Sequence, residues 1–126
     1  MAAPRSDEEI LTVLTPDEVA AEALHDVDAG VVVIGHTHHQ FDRRIGSIRL
    51  VNAGSVGLPY EGRPGAFWAL VGPDVEFRCS DYDIARAAEL LRASGMPGID
   101  ELLPESLLEP VPRDEVAAFF ERQAER

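Results

Sequence analysis

The sequence is poor in cysteine, in basic residues and in long apolar runs. Cys79 is the single cysteine among 126 residues, so neither an internal disulfide nor a cysteine-based zinc site can form within the chain. This usage is typical of a reducing compartment, and we expect the cytoplasm. No apolar run approaches the roughly 18 residues that span a bilayer, and the start of the chain is acidic where a signal peptide would be basic. Export and membrane insertion are therefore not expected.

Lysine is absent, and the 11 basic residues, all arginine, stand against 23 acidic residues, which gives a net charge of −12. This balance argues against non-specific binding to nucleic acids, because such binding depends on neutralising many phosphates. The charge is unevenly distributed, with −7 on residues 1–30, +2 on residues 31–70 and −7 on residues 71–126. Only the middle segment carries an excess of positive charge.

The length and the 45% apolar content are those of one globular domain with one core. Thr15 is placed to cap a first helix, with Glu18 completing a capping box, and this helix is expected to end between residues 25 and 28. Asp83 is expected to cap a second helix that runs to about Ala93. Apolar residues at helical spacing predict a last helix over residues 114–123.

The centre of the chain is rich in β-strand patterns. The apolar run Val31–Ile34 predicts a strand that is buried on both faces. Residues 40–44 and 48–51 predict a hairpin around Gly46, and residues 66–71 and 75–80 predict a second hairpin. The glycine-rich and proline-rich residues 52–65 between the hairpins predict an ordered loop.

Three of the four histidines lie at positions 36, 38 and 39, directly after the apolar strand. Sites of α/β proteins gather at the carboxyl ends of strands, and Gly35 allows the backbone to turn there. In an extended backbone, His36 and His38 point to the same side and can share one metal ion or a close pair of ions. Two ligands are too few for a complete zinc site, so a polar loop of solvated histidines remains the leading interpretation from spacing alone.

Two linked motifs resemble those of the calcineurin-like metallophosphoesterase superfamily. The strand Val31–Ile34 followed by Gly-His-Thr-His is similar to the last signature motif of that superfamily. Residues 41–59 resemble the hairpin and the Asn-x-Gly-Ser-Val-Gly turn of its small bacterial and archaeal phosphodiesterase branch. The resemblance implies an α+β fold, namely the C-terminal half of a four-layer αββα sandwich, with one mixed or antiparallel sheet and helices on one side. It implies one partial domain over residues 1–126.

The resemblance also implies metal-dependent hydrolysis of phosphoesters by two divalent ions, such as Mn, Fe, Zn, Co or Ni. His36 would ligate one ion and His38 the other. His39 matches no role in the superfamily, and we expect its side chain to be solvated. Asn52, Gly54 and Ser55, and also Gly57, match the glycine-rich turn, which would contact a phosphate or hold the histidine loop. A turn that needs glycine only for its backbone conformation is an equally good interpretation.

Other residues of the middle segment can serve a substrate or can be purely structural. Arg43, Arg44, Arg49 and Arg63 provide its positive charge, which would attract an anion, although exposed arginines on hairpins are usually solvated. Tyr60 and Trp68 can line a pocket, with packing the preferred interpretation for Trp68.

The earlier motifs of the superfamily, Asp-x-His, Gly-Asp-x-x-Asp and Gly-Asn-His, do not occur in this sequence. They supply most of the metal ligands and the acid–base histidine, so we expect the chain to form a two-metal site only in part and to have negligible activity alone. Two functions stay open. The first is a phosphodiesterase or phosphatase for small phosphoesters, completed by residues outside this sequence. The second is a non-catalytic half-domain that acts as an interaction module or as a weak binder of one metal ion.

A lone half of such a sandwich should leave apolar sheet surface uncovered. Uncovered apolar surface usually marks an interface. We therefore expect association with a second copy of the chain or with a complementary N-terminal half.

Overall fold

A computed structural model describes residues 3–124, apart from the side chains of residues 105 and 106. The expected domain 1–126 therefore has both ends outside the described residues. The elements run in the order α1 (Asp17–Ala23), β1 (Val31–Ile34), β2 (Gln40–Ile45), β3 (Ile48–Ala53), β4 (Ala66–Val71), β5 (Val75–Ser80), α2 (Ile84–Ala93), α3 (Ile99–Leu103), a π-helical turn (Pro104–Leu108) and α4 (Arg113–Ala124). The α+β class is confirmed.

The first sheet has three strands in the order β1-β3-β2 and is mixed. The central strand β3 pairs parallel to β1, with Ile34 opposite Asn52, and antiparallel to β2. The hairpin turns at Gly46, whose φ is 58°, in the left-handed region that glycine adopts most readily. Because parallel strands end at the same edge of a sheet, the histidine segment after Ile34 lies beside Asn52 and the turn that follows β3.

Strands β4 and β5 form a separate antiparallel pair, so the five strands found in residues 3–124 lie in two small sheets where one was expected. The two edges of β3 are paired with β1 and β2, so β4 cannot pair with β3. One backbone hydrogen bond, from the Phe67 N–H to the Ser55 carbonyl (3.0 Å), ties the second hairpin to the loop after β3. The bounds of β4 and β5 match the prediction.

The prediction that β1 is buried on both faces is wrong. Val31 and Val33 are 40% and 44% exposed, whereas Ile34 on the opposite face is buried. In the described structure β1 is an edge strand, and helix α1 with its C-terminal cap Leu24 packs in the same core cluster as Ile34, on one face of the strand. The apolar run reflects a second face that nothing in residues 3–124 covers.

The predicted start of a helix is confirmed for α2 and is wrong for α1. The side chain of Asp83 accepts a hydrogen bond from the Arg86 N–H (2.8 Å), which begins α2 as predicted. The predicted cap of α1 is wrong: Pro16 is the capping residue, and Thr15 instead accepts from the Thr12 N–H at 2.8 Å. Helix α1 also ends earlier than expected, at Ala23.

The C-terminal region packs as a second apolar cluster, built from Ala88 of α2 and the residues Ile99, Leu103 and Leu107. Helix α3 leads directly into the π-helical turn, which begins at Pro104. Helix α4 follows at the predicted place. Among residues 3–124, no helix has the length and apolar character needed to cross a membrane.

Candidate functional site

The candidate site is the loop from Gly35 to His39 that follows β1. His36 and His38 have φ angles of 74° and 54°, so the backbone is left-handed at both histidines and the extended conformation assumed above is wrong. The turn is closed by a hydrogen bond from the Thr37 N–H to the Gly35 carbonyl (2.9 Å). A left-handed conformation costs a residue other than glycine on the order of 1–2 kcal/mol, so the surrounding structure must hold this loop.

Asn52, at the end of β3, is the residue that holds the loop. Its amide nitrogen donates to the Gly35 carbonyl (3.1 Å) and to the Thr37 hydroxyl (3.0 Å), and its amide oxygen accepts from the Gly54 N–H (3.0 Å). The side chain is fully buried. Asn52 therefore joins the histidine loop to the glycine-rich turn, and its polar atoms already have partners within the protein.

His38 is fixed from two sides by the segment after the glycine-rich turn. Its Nδ1 donates to the Leu58 carbonyl (2.9 Å), and its own carbonyl accepts from the Tyr60 N–H (3.1 Å). The imidazole stacks on the Tyr60 ring, with centroids 5.6 Å apart and planes at 22°. Since Nδ1 carries the proton, Nε2 carries the lone pair, which is the arrangement of a metal-binding histidine oriented by a backbone carbonyl.

The two candidate ligands differ in their surroundings. Burial lowers the pKa of His38, with the hydrogen bond to Leu58 acting against it and the proximity of His36 adding to it. His36 is exposed, and its ring lies 6.0 Å from that of Phe120 in α4. His38 is therefore favoured in the neutral form that a metal requires, and His36 is near enough to influence it.

The expectation that His39 is solvated is wrong, because its side chain is fully buried. Its Nδ1 donates to the Thr37 carbonyl (3.1 Å), its ring lies 5.5 Å from that of Phe41, and its Nε2 has no hydrogen-bond partner in the described structure. Burial is also the main cause that lowers its pKa. The alternation of a strand explains this position, because residues 39 and 41 share a face and Phe41 is in the core.

The glycine-rich turn needs a glycine at one position and not at the other. Gly54 has a φ of 84°, and a Cβ there would lie 2.8 Å from Gln40 Cγ and 3.1 Å from Phe67 Cβ. Gly57 has open space around it and no left-handed φ. Ser55 Oγ accepts from the Leu58 N–H (3.1 Å), so it fixes the turn that brings Leu58 to His38. A phosphate contact of Ser55 stays a prediction.

Helix α4 packs on this region, a contact that no local sequence pattern indicates. Its first residue, Arg113, donates to the Gln40 carbonyl and lies 3.6 Å from the Glu61 carboxylate. Glu61 in turn accepts from the Gln40 N–H, and burial raises the pKa of its carboxyl group. The start of α4 is thereby tied to the residue that follows the histidine loop.

The far end of α4 is tied to the N-terminal segment. The Glu121 carboxylate accepts hydrogen bonds from the hydroxyls of Thr12 and Thr15. Between these two anchors, Phe120 faces His36 and lies 6.2 Å, ring to ring, from Tyr60. Helix α4 therefore lies beside His36 through Phe120 and is linked to His38 through Tyr60.

The four arginines of the middle segment are engaged within the protein. Arg43 donates to the carbonyls of Thr12 and Thr15, and Arg49 pairs with Asp42 at 2.6 Å. Similar engagement is found for the other two, with Arg44 donating to the Ser47 carbonyl and Arg63 lying over the Phe67 ring. Carboxylates of the protein thus pair with the charges of Arg43 and Arg49, whereas Arg44 and Arg63 are exposed. Trp68, half-buried, donates from its ring nitrogen to Ser80 Oγ at 3.1 Å.

A complete two-metal centre does not fit the described residues alone. No group of three or more histidine, cysteine, aspartate or glutamate side chains is placed to hold a metal within residues 3–124. His36 and His38 have the right chemistry for part of a ligand set, since imidazole suits several divalent transition metals. A complete centre would need further ligands from outside these residues.

Comparisons with known proteins bear on the fold and on the family. The chain matches no curated protein. Among solved structures it is similar to a hypothetical protein from Pyrococcus horikoshii OT3, with a TM-score of 0.69 and 20% identity over 87% of this chain and 45% of that one. It is also similar to a metallophosphoesterase from Sphaerobacter thermophilus, with a TM-score of 0.67 and 24% identity over 82% of this chain and 52% of that one.

The chain therefore spans about half the length of these two solved structures, which is consistent with a partial domain. The family model of the calcineurin-like phosphoesterase superfamily domain matches residues 9–72, which include the histidine loop and the glycine-rich turn. The chain belongs to the calcineurin-like phosphoesterase superfamily.

Proposed function

We propose that this chain supplies part of the metal centre of an enzyme that hydrolyses small phosphoesters, as a phosphodiesterase or phosphatase. The observation that carries the proposal is His38, whose Nδ1 is held by the Leu58 carbonyl so that Nε2 is left to bind a metal. Divalent metals are the general cofactors of the superfamily. We further propose His36 as the ligand of a second ion in the completed centre, with Mn, Fe, Zn, Co or Ni as candidates.

The missing ligands would come from a complementary N-terminal half, in the same or in a second polypeptide. Two observations support this. The strand edge of β1 lies unpaired in the described structure, with Val31 and Val33 exposed beside it. This chain covers only 45% and 52% of the two similar solved structures. An unpaired strand edge with apolar neighbours is suited to accept a further strand. With a single cysteine that needs no oxidation, we propose that this assembly acts in the cytoplasm.

A second candidate function is a non-catalytic half-domain that binds a partner or one metal ion weakly. It is favoured by one observation, that the described residues bring no third ligand to His36 and His38. In this case the free edge of β1 would serve association only. Both functions predict an apolar interface, and they differ in whether a hydrolytic centre forms.

A metal titration of the chain tests the ligand assignment directly. Zn²⁺ or Mn²⁺ is added to the wild type and to His36→Gln, His38→Gln and His25→Gln, with binding followed by calorimetry and, for Zn²⁺, by the imidazole resonances. His25 is the matched control, because it is exposed and pairs with Asp26 away from the loop. We expect the two loop variants to lose at least about tenfold in affinity and His25→Gln to lose none. Unchanged affinity of His38→Gln would disprove the assignment.

An activity assay separates a partial centre from a complete one. With Mn²⁺ present, the isolated chain should hydrolyse a nitrophenyl phosphodiester no faster than the blank, because most of the charge stabilisation of a two-metal centre is missing. Metal-dependent hydrolysis that His36→Ala abolishes would show that the chain is active alone. The partial-centre proposal would then be wrong, although the assignment of His36 would stand.

A further inference from the structure

A cavity of about 580 Å³ lies between α4 and the segment after the glycine-rich turn. Its walls are mainly apolar and aromatic, and they include Tyr60, Val111, Val116, Phe119, Phe120 and Arg122. This volume lies in the range of pockets that bind small organic molecules, roughly 300–1,000 Å³. Neither the family match, which ends at residue 72, nor the proposed metal ligands account for it.

The cavity shares two of its wall residues with the candidate metal site. Tyr60 stacks on His38 with ring centroids 5.6 Å apart, and Phe120 faces His36 at 6.0 Å. The two wall residues also contact each other, at 6.2 Å. A molecule in the cavity is thus separated from both imidazoles by a single aromatic ring.

The wall is aromatic in a chain that has few aromatic residues, only 6% of its length. Phe119 lies edge-on to Phe120 at 5.7 Å, so the cavity presents aromatic groups in several orientations. Aromatic faces bind planar rings better than they bind aliphatic groups of the same size, because stacking adds to the apolar contact. Arg122 and Glu115 at the cavity provide one group of each charge for polar contacts.

The cavity is also formed in advance of binding. Helix α4 is anchored at its start through Arg113 to Gln40 and near its end through Glu121 to Thr12. Its position therefore does not depend on a ligand, and a preformed cavity costs less ordering free energy when a ligand enters.

We propose that this cavity binds the planar aromatic group of a phosphoester, such as a nucleobase, and thereby selects esters with such a group. The placement of the phosphate toward His36 and His38 rests on the proposed function, whereas binding of the ring to the cavity does not. A second copy of this chain, inserting its own side chains, is the competing occupant that the test has to separate.

The test is an NMR titration of the full chain in the absence of metal. Adenosine 5′-monophosphate is compared with ribose 5-phosphate, which carries the same phosphate without the ring. We expect the first to shift the amide resonances of Tyr60, Val116 and Phe120 and the second to leave them unchanged. Phe120→Leu should weaken the binding by about tenfold, since it removes a stacking face. Phe77→Leu, an exposed aromatic in β5 outside the cavity, should leave it unchanged.

A second variant covers the case in which Phe120→Leu does not fold, as judged by circular dichroism. Ala118→Leu adds bulk to the cavity wall without removing an anchor of α4, and it should block the ring. The proposal is overturned if both ligands shift the same resonances or if neither variant weakens binding. It is also overturned if the cavity resonances shift with protein concentration and not with added ligand, because a second copy of the chain then occupies the cavity. If Zn²⁺ binds at His38 but the ring does not bind in the cavity, only this inference is wrong. If the ring binds but Zn²⁺ does not, only the metal assignment is wrong.

Discussion

Replacing Asn52 by alanine tests whether this buried amide holds the candidate site together. The substitution removes three hydrogen bonds, namely those from the Asn52 amide nitrogen to the Gly35 carbonyl and to the Thr37 hydroxyl, and the one from the Gly54 N–H to the Asn52 amide oxygen. At about 1 kcal/mol for each hydrogen bond, the free energy of unfolding should fall by about 3 kcal/mol. That is a large share of the roughly 5–15 kcal/mol that stabilises a typical domain. The left-handed histidine loop would relax at the same time.

The measurement is urea unfolding followed by circular dichroism, with Zn²⁺ affinity as the second readout. Asn52→Asp is the matched variant, because it keeps an oxygen for the Gly54 N–H but loses both donated bonds and buries a charge. It should be destabilised at least as much as the alanine variant. Ser47→Ala, in the exposed hairpin turn, should stay within about 0.5 kcal/mol of the wild type. A loss below about 1 kcal/mol for Asn52→Ala would refute the reasoning.

Three further predictions concern the backbone and the buried histidine. His36→Gly should be more stable than His36→Ala by about 1 kcal/mol in urea unfolding, since only glycine tolerates the φ of 74°, and equal midpoints would argue against strain. Gly54→Ala should cost about 2 kcal/mol or more by thermal unfolding because its Cβ meets Gln40, whereas Gly57→Ala, with open space, should change little. Burial lowers the pKa of His39 from its ordinary value of 6.5. The neutral side chain therefore contributes its full stability above about pH 6.5, and this contribution is lost as the pH falls below that value. His39→Phe should flatten that part of the stability profile, and an unchanged acid slope would contradict this.

The local elements of the fold could be predicted because short-range signals specify them. Gly46 marks the first hairpin turn, Asp83 caps α2, and β4 and β5 have the predicted bounds. The exposure of Val31 could not be predicted, because an apolar run shows only that a strand prefers burial on both faces. Whether a face is covered depends on other elements, and none of the described ones covers it.

The candidate site could be predicted only in part, because its geometry also depends on contacts between distant parts of the chain. The spacing and the motif pointed to His36 and His38, and the superfamily is confirmed. The left-handed backbone at both residues follows from contacts with Asn52 and is not visible in a Gly-His-Thr-His string. The contact of Phe120 with His36 joins residues far apart in the chain, which no local pattern can indicate. The burial of His39 could have been predicted from its alternation with Phe41. We expected a solvated side chain because the superfamily motif assigns no role to this position.

The charges of the chain bear on how such a site would recognise its substrate. The middle segment, residues 31–70, is the only one with excess positive charge, yet Arg43 and Arg49 are bound to carbonyls and carboxylates of the protein. With a net charge of −12, the surface as a whole repels a phosphoester. Attraction of the phosphate would therefore depend on metal ions at His36 and His38. The uncharged part of the ester would bind in the aromatic cavity beside α4. On this view, the metal centre would provide the reaction and the C-terminal helix would provide the selectivity.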